Sequence, residues 1–228
     1  MINKKEKFIY IHLNKCGGSS VDKVLLRFAK QRKKFGVLLR REIITKQRKK
    51  FGGHQTIRDY EDTLGSEALD DYFKFSFVRN PWDKIVSFYF FHKKKGWSCH
   101  PWSHNITFKK FVTEKLNIRM PFSHSKYSST MRTSNHYDWF LDSTGKNRMD
   151  FVGRFENLQA DFNIACVKAG IRRMGLPHAN MAKRASDNSM IHGRAGHYSQ
   201  YYDEETREIV AKRFSKDISE YGYEFKQL

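Results

Sequence analysis

A short apolar segment in the sequence is followed directly by a loop of lysine, glycine and serine. Residues 8–13 are rich in β-branched and aromatic side chains, which is typical of a buried strand. Glycines let the backbone approach a ligand closely, and the helix predicted after the loop would present free N–H groups and partial positive charge. The pattern predicts a site for a phosphate-like anion, although an ordinary strand-to-helix turn would share it. The residues of this predicted anion loop are Lys15, Cys16, Gly17, Gly18, Ser19 and Ser20.

A second strand is predicted over residues 72–79, and it ends at Arg79. Asn80 can cap the next helix and Pro81 suits its first position. This helix carries an apolar stripe of Trp82, Ile85, Val86 and Tyr89. Because ligands bind at the carboxyl ends of parallel strands, we expect Arg79 and the anion loop to face the same edge of a sheet.

The remaining periodic segments complete an alternation of strands and helices. They are predicted as helices over 54–64, 107–116 and 156–169, a strand over 149–154, and a final helix from Asp203 whose inner residues are Val210, Phe214 and Ile218. Ser19 or Ser20 is expected to cap the first helix. Alternating elements of this kind predict a three-layer α/β fold with a mainly parallel central sheet flanked by helices. No repeat or linker divides the chain, so residues 1–228 are expected to form a single domain.

The composition is that of a basic globular protein. Lys and Arg number 43 against 24 Asp and Glu, giving a formal net charge of +19, and 15% of residues are aromatic. This charge favours anionic partners, including nucleic acid, a polyanionic glycan or a phosphorylated cofactor. Ten of the basic residues lie between positions 30 and 50. Such a segment is typical of a docking surface for an anion, but also of a solvated surface.

The sequence also indicates where the protein works. No apolar run approaches the ~20 residues of a membrane span, and the charged N-terminus does not resemble a signal peptide. The three cysteines are far apart, unlike a disulfide framework. These observations predict a cytoplasmic protein in a reducing environment.

The anion loop is not the nucleotide-binding pattern G-x-x-x-x-G-K-[ST], because the leading glycine is absent and Lys15 precedes the glycines. Hydrolysis of ATP or GTP is therefore disfavoured. A kinase or other nucleotide-binding enzyme with a P-loop-like fold and a basic nucleic-acid-binding protein remain as alternatives, although charge alone does not account for the ordered motifs.

Two motifs carry a resemblance to a known family. Residues 11–20 resemble the 5′-phosphosulfate loop of sulfotransferases that use 3′-phosphoadenosine 5′-phosphosulfate (PAPS), and residues 75–87 resemble their 3′-phosphate motif. The similarity is to the carbohydrate-type branch, which includes soluble bacterial members, and it extends to residues 153–158, 176–180 and 201–225. Asn14 and Cys16 depart from it, since the family more usually has Pro and Thr there.

The resemblance implies a P-loop-NTPase-like fold and a role for each matched residue. Lys15 would neutralise the oxygen that bridges phosphate and sulfate, and the loop from Cys16 to Ser20 would cradle the 5′-phosphate. Arg79 and Ser87 would hold the 3′-phosphate. The reaction would move a sulfuryl group to an acceptor hydroxyl, expected on a carbohydrate, and release adenosine 3′,5′-bisphosphate.

Histidine suits the general base that this transfer needs. Among ten histidines, His54 is predicted to be that base because the family places a histidine before the second strand, whereas His12 is assigned a structural role in the first strand. His92, Cys99, His100 and His104 match no common zinc spacing, so no metal is expected. The basic segment and an aromatic patch of Trp97, Trp102 and His104 are predicted to bind an acidic glycan, with tyrosine, lipid and small-metabolite acceptors left open.

Overall fold

Four short strands form one sheet in a computed structural model that describes residues 1–31, 54–94, 106–116, 135–177 and 196–227. The strands are β1 (Ile2–Asn3), β2 (Phe8–Ile11), β3 (Phe73–Val78) and β4 (Phe151–Arg154), and they are ordered β1-β2-β3-β4. β1 is antiparallel to β2, whereas β2, β3 and β4 are parallel to one another. The prediction of a mainly parallel sheet is therefore confirmed.

Helices flank this sheet on both faces. They are α1 (Gly18–Gln31), α2 (Ile57–Leu64), α3 (Ser66–Asp70), α4 (Pro81–Lys94), α5 (Phe108–Lys110), α6 (Leu158–Lys168), α7 (Glu204–Arg213) and α8 (Ser215–Tyr221). Strand residues alternate between two apolar clusters. One cluster joins Phe8, Tyr10, Phe75 and Phe77 to α1 and α6, and the other joins Ile9, Ile11 and Val78 to α2, α4 and α7.

Local capping signals in the sequence are confirmed at two helices. Asn80 caps α4, because its Oδ1 accepts the backbone N–H of Trp82 at 3.0 Å, and Pro81 is the first residue of that helix. α2 ends at Gly65 as predicted. Its cap, however, is Thr56, so the expectation that His54 opens this helix is wrong by two residues.

Three predicted boundaries differ from the structure. β2 ends at Ile11, so the loop begins earlier than expected. The predicted final helix is broken at Phe214, whose backbone (φ −111°, ψ 28°) leaves the helical region as its ring enters the core. The helix predicted over 107–116 consists of α5 and a wider π-helical turn, Phe111–Lys115.

Some predicted features lie outside the described residues. These are nearly all of the basic segment and the aromatic patch at Trp97, Trp102 and His104. Within the described ranges, no helix is both long enough and apolar enough to cross a membrane.

Candidate active site

The anion loop has a tightly wound backbone. Lys15 and Gly17 have positive φ angles of 64° and 77°. This conformation is natural for glycine but uncommon for lysine, and such residues cluster at functional sites. α1 begins at Gly18, so Ser19 and Ser20 lie within its first turn rather than capping it as predicted. That first turn contains no acidic residue, so its partial positive charge is available to an anion.

Arg79 connects the anion loop to the end of β3. Its Nη1 donates to the carbonyl oxygen of Lys15 at 2.8 Å, and its Nε and Nη2 each lie 2.7 Å from Oδ2 of Asp83. The guanidinium also lies over the ring of Phe155, 4.1 Å from its centroid. The predicted meeting of Arg79 and the loop at one edge of the sheet is confirmed.

The segment after β4 packs against both of these parts. A Cβ atom placed on Gly17 would lie only 2.4 Å from Cδ2 of Leu158, so the loop needs glycine there. The carboxylate of Glu156 accepts the backbone N–H of Asn80 at 2.8 Å. Residues 155–158 therefore hold the loop and the Arg79 turn together, a role that the sequence pattern alone did not specify.

Helix α4 carries Ser87 and contacts the side chain of Lys15. Nζ of Lys15 lies 4.2 Å from the centroid of the Phe91 ring, in the last turn of α4. Asp83 and Ser87 are four residues apart, which puts half-buried Ser87 one turn beyond the ion pair on the same helix face. The structure thus brings Lys15, Arg79 and Ser87 to one side of α4.

Cys16 turns its side chain into the interior. Its Sγ donates to the carbonyl oxygen of Asn14 at 3.3 Å and lies 3.7 Å from Nε2 of His136. Burial raises the pKa of the thiol to about 12, so Cys16 stays protonated and is not a nucleophile. Any contribution of Cys16 to anion binding must therefore come from its backbone.

A buried polar cluster of Lys84, His136 and Asp217 lies beneath Cys16. Nζ of Lys84 is 3.2 Å from Nε2 of His136 and 3.8 Å from Oδ2 of Asp217. Asp217 also accepts the backbone N–H groups of His136 and Tyr137 at 2.7 and 2.9 Å. The cluster connects α4, α8 and His136 beneath the anion loop. Lys84 and Asp217 lie within the motifs quoted above, but their meeting with His136 was not predicted.

His136 should make stability depend on pH. Burial, aided by the charge of Lys84, holds the pKa of His136 well below its usual 6.5. Below about pH 6.5 the unfolded chain therefore binds a proton that the folded chain does not. As the pH is lowered through this range, the free energy of unfolding should fall by up to ~1.4 kcal/mol per pH unit. Denaturant unfolding of wild type and His136→Gln between pH 5 and 8 should give a flatter dependence for the variant. Parallel curves would contradict this assignment.

His54 lies close to the anion loop. Its Nδ1 is 3.0 Å from the backbone oxygen of His12, and the two imidazole rings meet edge to face with centroids 4.7 Å apart. A carbonyl oxygen only accepts hydrogen bonds, so Nδ1 of His54 carries the proton and Nε2 carries the lone pair. The ring is thus in the tautomer that a general base requires.

Comparison with known proteins agrees with these features. The profile of the Sulfotransferase family matches residues 1–224. The chain belongs to the sulfotransferase family. It is also 31% identical, over 114 residues, to an uncharacterised protein of Archaeoglobus fulgidus, a match that spans 50% of this chain and 77% of that protein. No solved structure matches the chain significantly.

Membership of the sulfotransferase family supports a sulfuryl-transfer enzyme that acts on an acceptor hydroxyl. It also gives the converging loops a chemical context, because a sulfuryl donor is anionic. Sequence reasoning found the loop, Arg79 and Ser87 but did not assign the supporting residues Asp83, Phe155 and Glu156. The spacing of Arg79 and Asp83, at i and i+4, was a usable signal for that ion pair.

Proposed function

We propose that this sulfotransferase moves a sulfuryl group from PAPS to an acceptor hydroxyl of a carbohydrate and releases adenosine 3′,5′-bisphosphate. The observation that carries the proposal is the 2.8 Å hydrogen bond from Arg79 to the carbonyl oxygen of Lys15. It joins the loop that resembles a 5′-phosphosulfate site to the residue that resembles a 3′-phosphate ligand. Two anion-binding groups held together in this way suit a donor with phosphates at both positions.

The local chemistry fits such a donor. The first turn of α1 contains no acidic residue, Gly17 allows close approach of the backbone, and Lys15 supplies a full charge. Arg79 offers the forked guanidinium geometry that binds phosphate oxygens, with Ser87 one turn along the Asp83 face of α4. A P-loop-like fold for the domain and a cytoplasmic location remain predictions from the sequence.

Lys15 has the central electrostatic role in the proposed reaction. The donor supplies an activated sulfuryl group, and in-line attack by the acceptor oxygen forms one S–O bond as the S–O bond to the phosphate breaks. Lys15 neutralises the charge that develops on the bridging oxygen, and the α1 N-terminus stabilises the leaving phosphate. No metal ion is needed for these roles.

His54 removes the proton from the attacking hydroxyl. Its Nδ1–H is held by the carbonyl oxygen of His12, so the proton is received at Nε2. The same hydrogen bond fixes the orientation of the ring, which a general base needs if it is to meet the acceptor in a defined geometry.

Replacing His54 with Asn tests this assignment. The Asn amide can keep the hydrogen bond to His12 but has no proton-accepting nitrogen, so we expect kcat to fall about 10²-fold with little change in donor affinity. Steady-state kinetics and calorimetry with the bisphosphate measure the two quantities. An unchanged kcat would remove His54 from the mechanism without affecting the proposed reaction.

Incubation with sulfur-35-labelled PAPS and a panel of acceptors tests the proposed function itself. The panel should contain uronic-acid glycans, neutral glycans, tyrosine peptides, sterols and simple phenols. The net charge of +19 leads us to expect labelling of acidic glycans. Label confined to peptides or lipids would contradict the carbohydrate acceptor, and label in no acceptor would count against the transfer reaction.

A further inference from the structure

The side chain of His12 lies along the first full turn of α1, although the sequence had suggested a structural role within the strand. Its Nδ1 is 2.9 Å from Oδ2 of Asp22, while its Nε2 lies at Gly18, where an added Cβ atom would be only 2.1 Å away. Gly18 and Asp22 are four residues apart, so they share one face of α1. The ring therefore runs along the helix with Nε2 at the N-terminal end.

Several contacts fix the His12 ring in this position. The side chains of His12 and Asp22 are only 15% and 13% exposed. The ring of Tyr10 stacks on the imidazole with centroids 6.0 Å apart. In the part of the chain that the structure describes, Nε2 of His12 has no hydrogen-bond partner, whereas Nδ1 is tied to the carboxylate. The ring is thus held by one nitrogen and presents the other at the start of the helix.

His12 and His54 sit in contrasting electrostatic surroundings even though their rings touch. His54 donates from Nδ1 to the uncharged carbonyl oxygen of His12. His12 donates from Nδ1 to the carboxylate of Asp22, an acceptor that carries a full negative charge.

We propose that His12 is a further donor-binding residue, whose Nε2–H, held in place by Asp22, donates to the phosphosulfate at the N-terminus of α1. This inference rests on the proposed function, because it requires that the loop bind such an anion. With Asp22 at Nδ1 and the anion at Nε2, both ring nitrogens would face acceptors and each would donate an N–H. Gly18 is then required to make room for the ring as well as for the backbone turn.

Two amide substitutions at position 12 distinguish the contributions of the two ring nitrogens to donor binding. His12→Asn can keep the hydrogen bond to Asp22 but lacks a donor at the Nε2 position, so its affinity for adenosine 3′,5′-bisphosphate should fall tenfold or more, as expected for loss of a charge-assisted bond. His12→Gln reaches the Nε2 position with an N–H donor and should recover most of that loss. Asp22→Asn keeps an acceptor for Nδ1 but removes the charge, so a smaller loss, of roughly threefold, is expected. Calorimetry measures each affinity, and thermal unfolding shows whether each variant is folded.

Lys23→Ala is the control, because Lys23 is exposed on α1 outside the anion loop and its removal should leave bisphosphate affinity near the wild-type value. Wild-type affinity in His12→Asn, or equal losses in His12→Asn and His12→Gln, would overturn the role of Nε2 while leaving the proposed function intact. A wild-type protein that does not bind the bisphosphate would overturn the proposed function and this inference with it. If His12→Asn is unfolded, the comparison of Asp22→Asn with wild type decides, and unchanged affinity there overturns the proposal.

Discussion

Replacing Lys15 with alanine should lower kcat for sulfuryl transfer by about 10³-fold, because the bridging oxygen would lose the cation that neutralises it in the transition state. The change should affect kcat more than donor affinity, since this charge develops only as the S–O bond breaks. The fold should tolerate the change. Alanine would adopt the same left-handed backbone angle that Lys15 already has, φ 64°, so the substitution adds no new backbone strain. Steady-state kinetics with labelled PAPS and the acceptor found in the panel give both constants.

Lys23→Ala is the control for the loss of one positive charge. Lys23 is exposed on α1 and outside the anion loop, so its removal should change kcat by less than about twofold. A Lys15→Ala enzyme with turnover close to that of Lys23→Ala would contradict the proposed role of the loop.

Replacing Arg79 with alanine should lower kcat/KM by about 10³-fold, because one side chain supplies both the proposed 3′-phosphate contact and the bond to the anion loop. The substitution removes the 2.8 Å hydrogen bond to Lys15 and the ion pair with Asp83. We therefore expect weaker binding of the bisphosphate together with a less ordered loop. Calorimetry with the bisphosphate and kinetics with PAPS report these effects separately.

Arg79→Lys shows whether charge alone is sufficient. An ammonium cannot reproduce the planar fork that reaches Asp83 and the Lys15 carbonyl oxygen together, so most of the loss should remain. The matched control is Arg27→Ala, which removes an exposed guanidinium from α1 and should leave kcat/KM nearly unchanged. Full activity in Arg79→Lys would mean that the fork has no part in donor binding.

The parts of the site that the sequence predicted are those encoded by local signals. The β2–loop–α1 unit depends on an apolar run followed by glycines, and the Arg79 turn depends on a strand that ends in Asn80 and Pro81. In a parallel sheet these two turns must share an edge, so their meeting followed from topology without any contact being known.

The parts that the sequence did not predict arise from contacts between distant residues. Lys84 meets His136 across 52 positions, and Asp217 meets the same histidine across 81. Each side chain alone resembles an ordinary polar surface residue, and only folding buries them together. The break at Phe214 is similar, because the periodic pattern continues through it and packing of the ring decides the bend.

The predicted end of the first strand concealed the role that we propose for His12. In a strand, the side chain of His12 would point to one face of the sheet, in alternation with its neighbours. Because β2 ends at Ile11, His12 instead enters the loop and reaches Asp22 on α1. Strand ends are commonly predicted with an error of one or two residues, and here that error hid the contact between His12 and Asp22.

The most direct test of the central claim is a calorimetric comparison of adenosine 3′,5′-bisphosphate, adenosine 5′-phosphate and ATP as ligands of the wild-type protein. A site that holds both phosphates of PAPS should bind the bisphosphate at least tenfold more tightly than either of the others, since the proposed contact of Arg79 requires a 3′-phosphate, which the other two ligands lack. ATP that binds as tightly as the bisphosphate, or tighter, would contradict the assignment of the two motifs as a PAPS site.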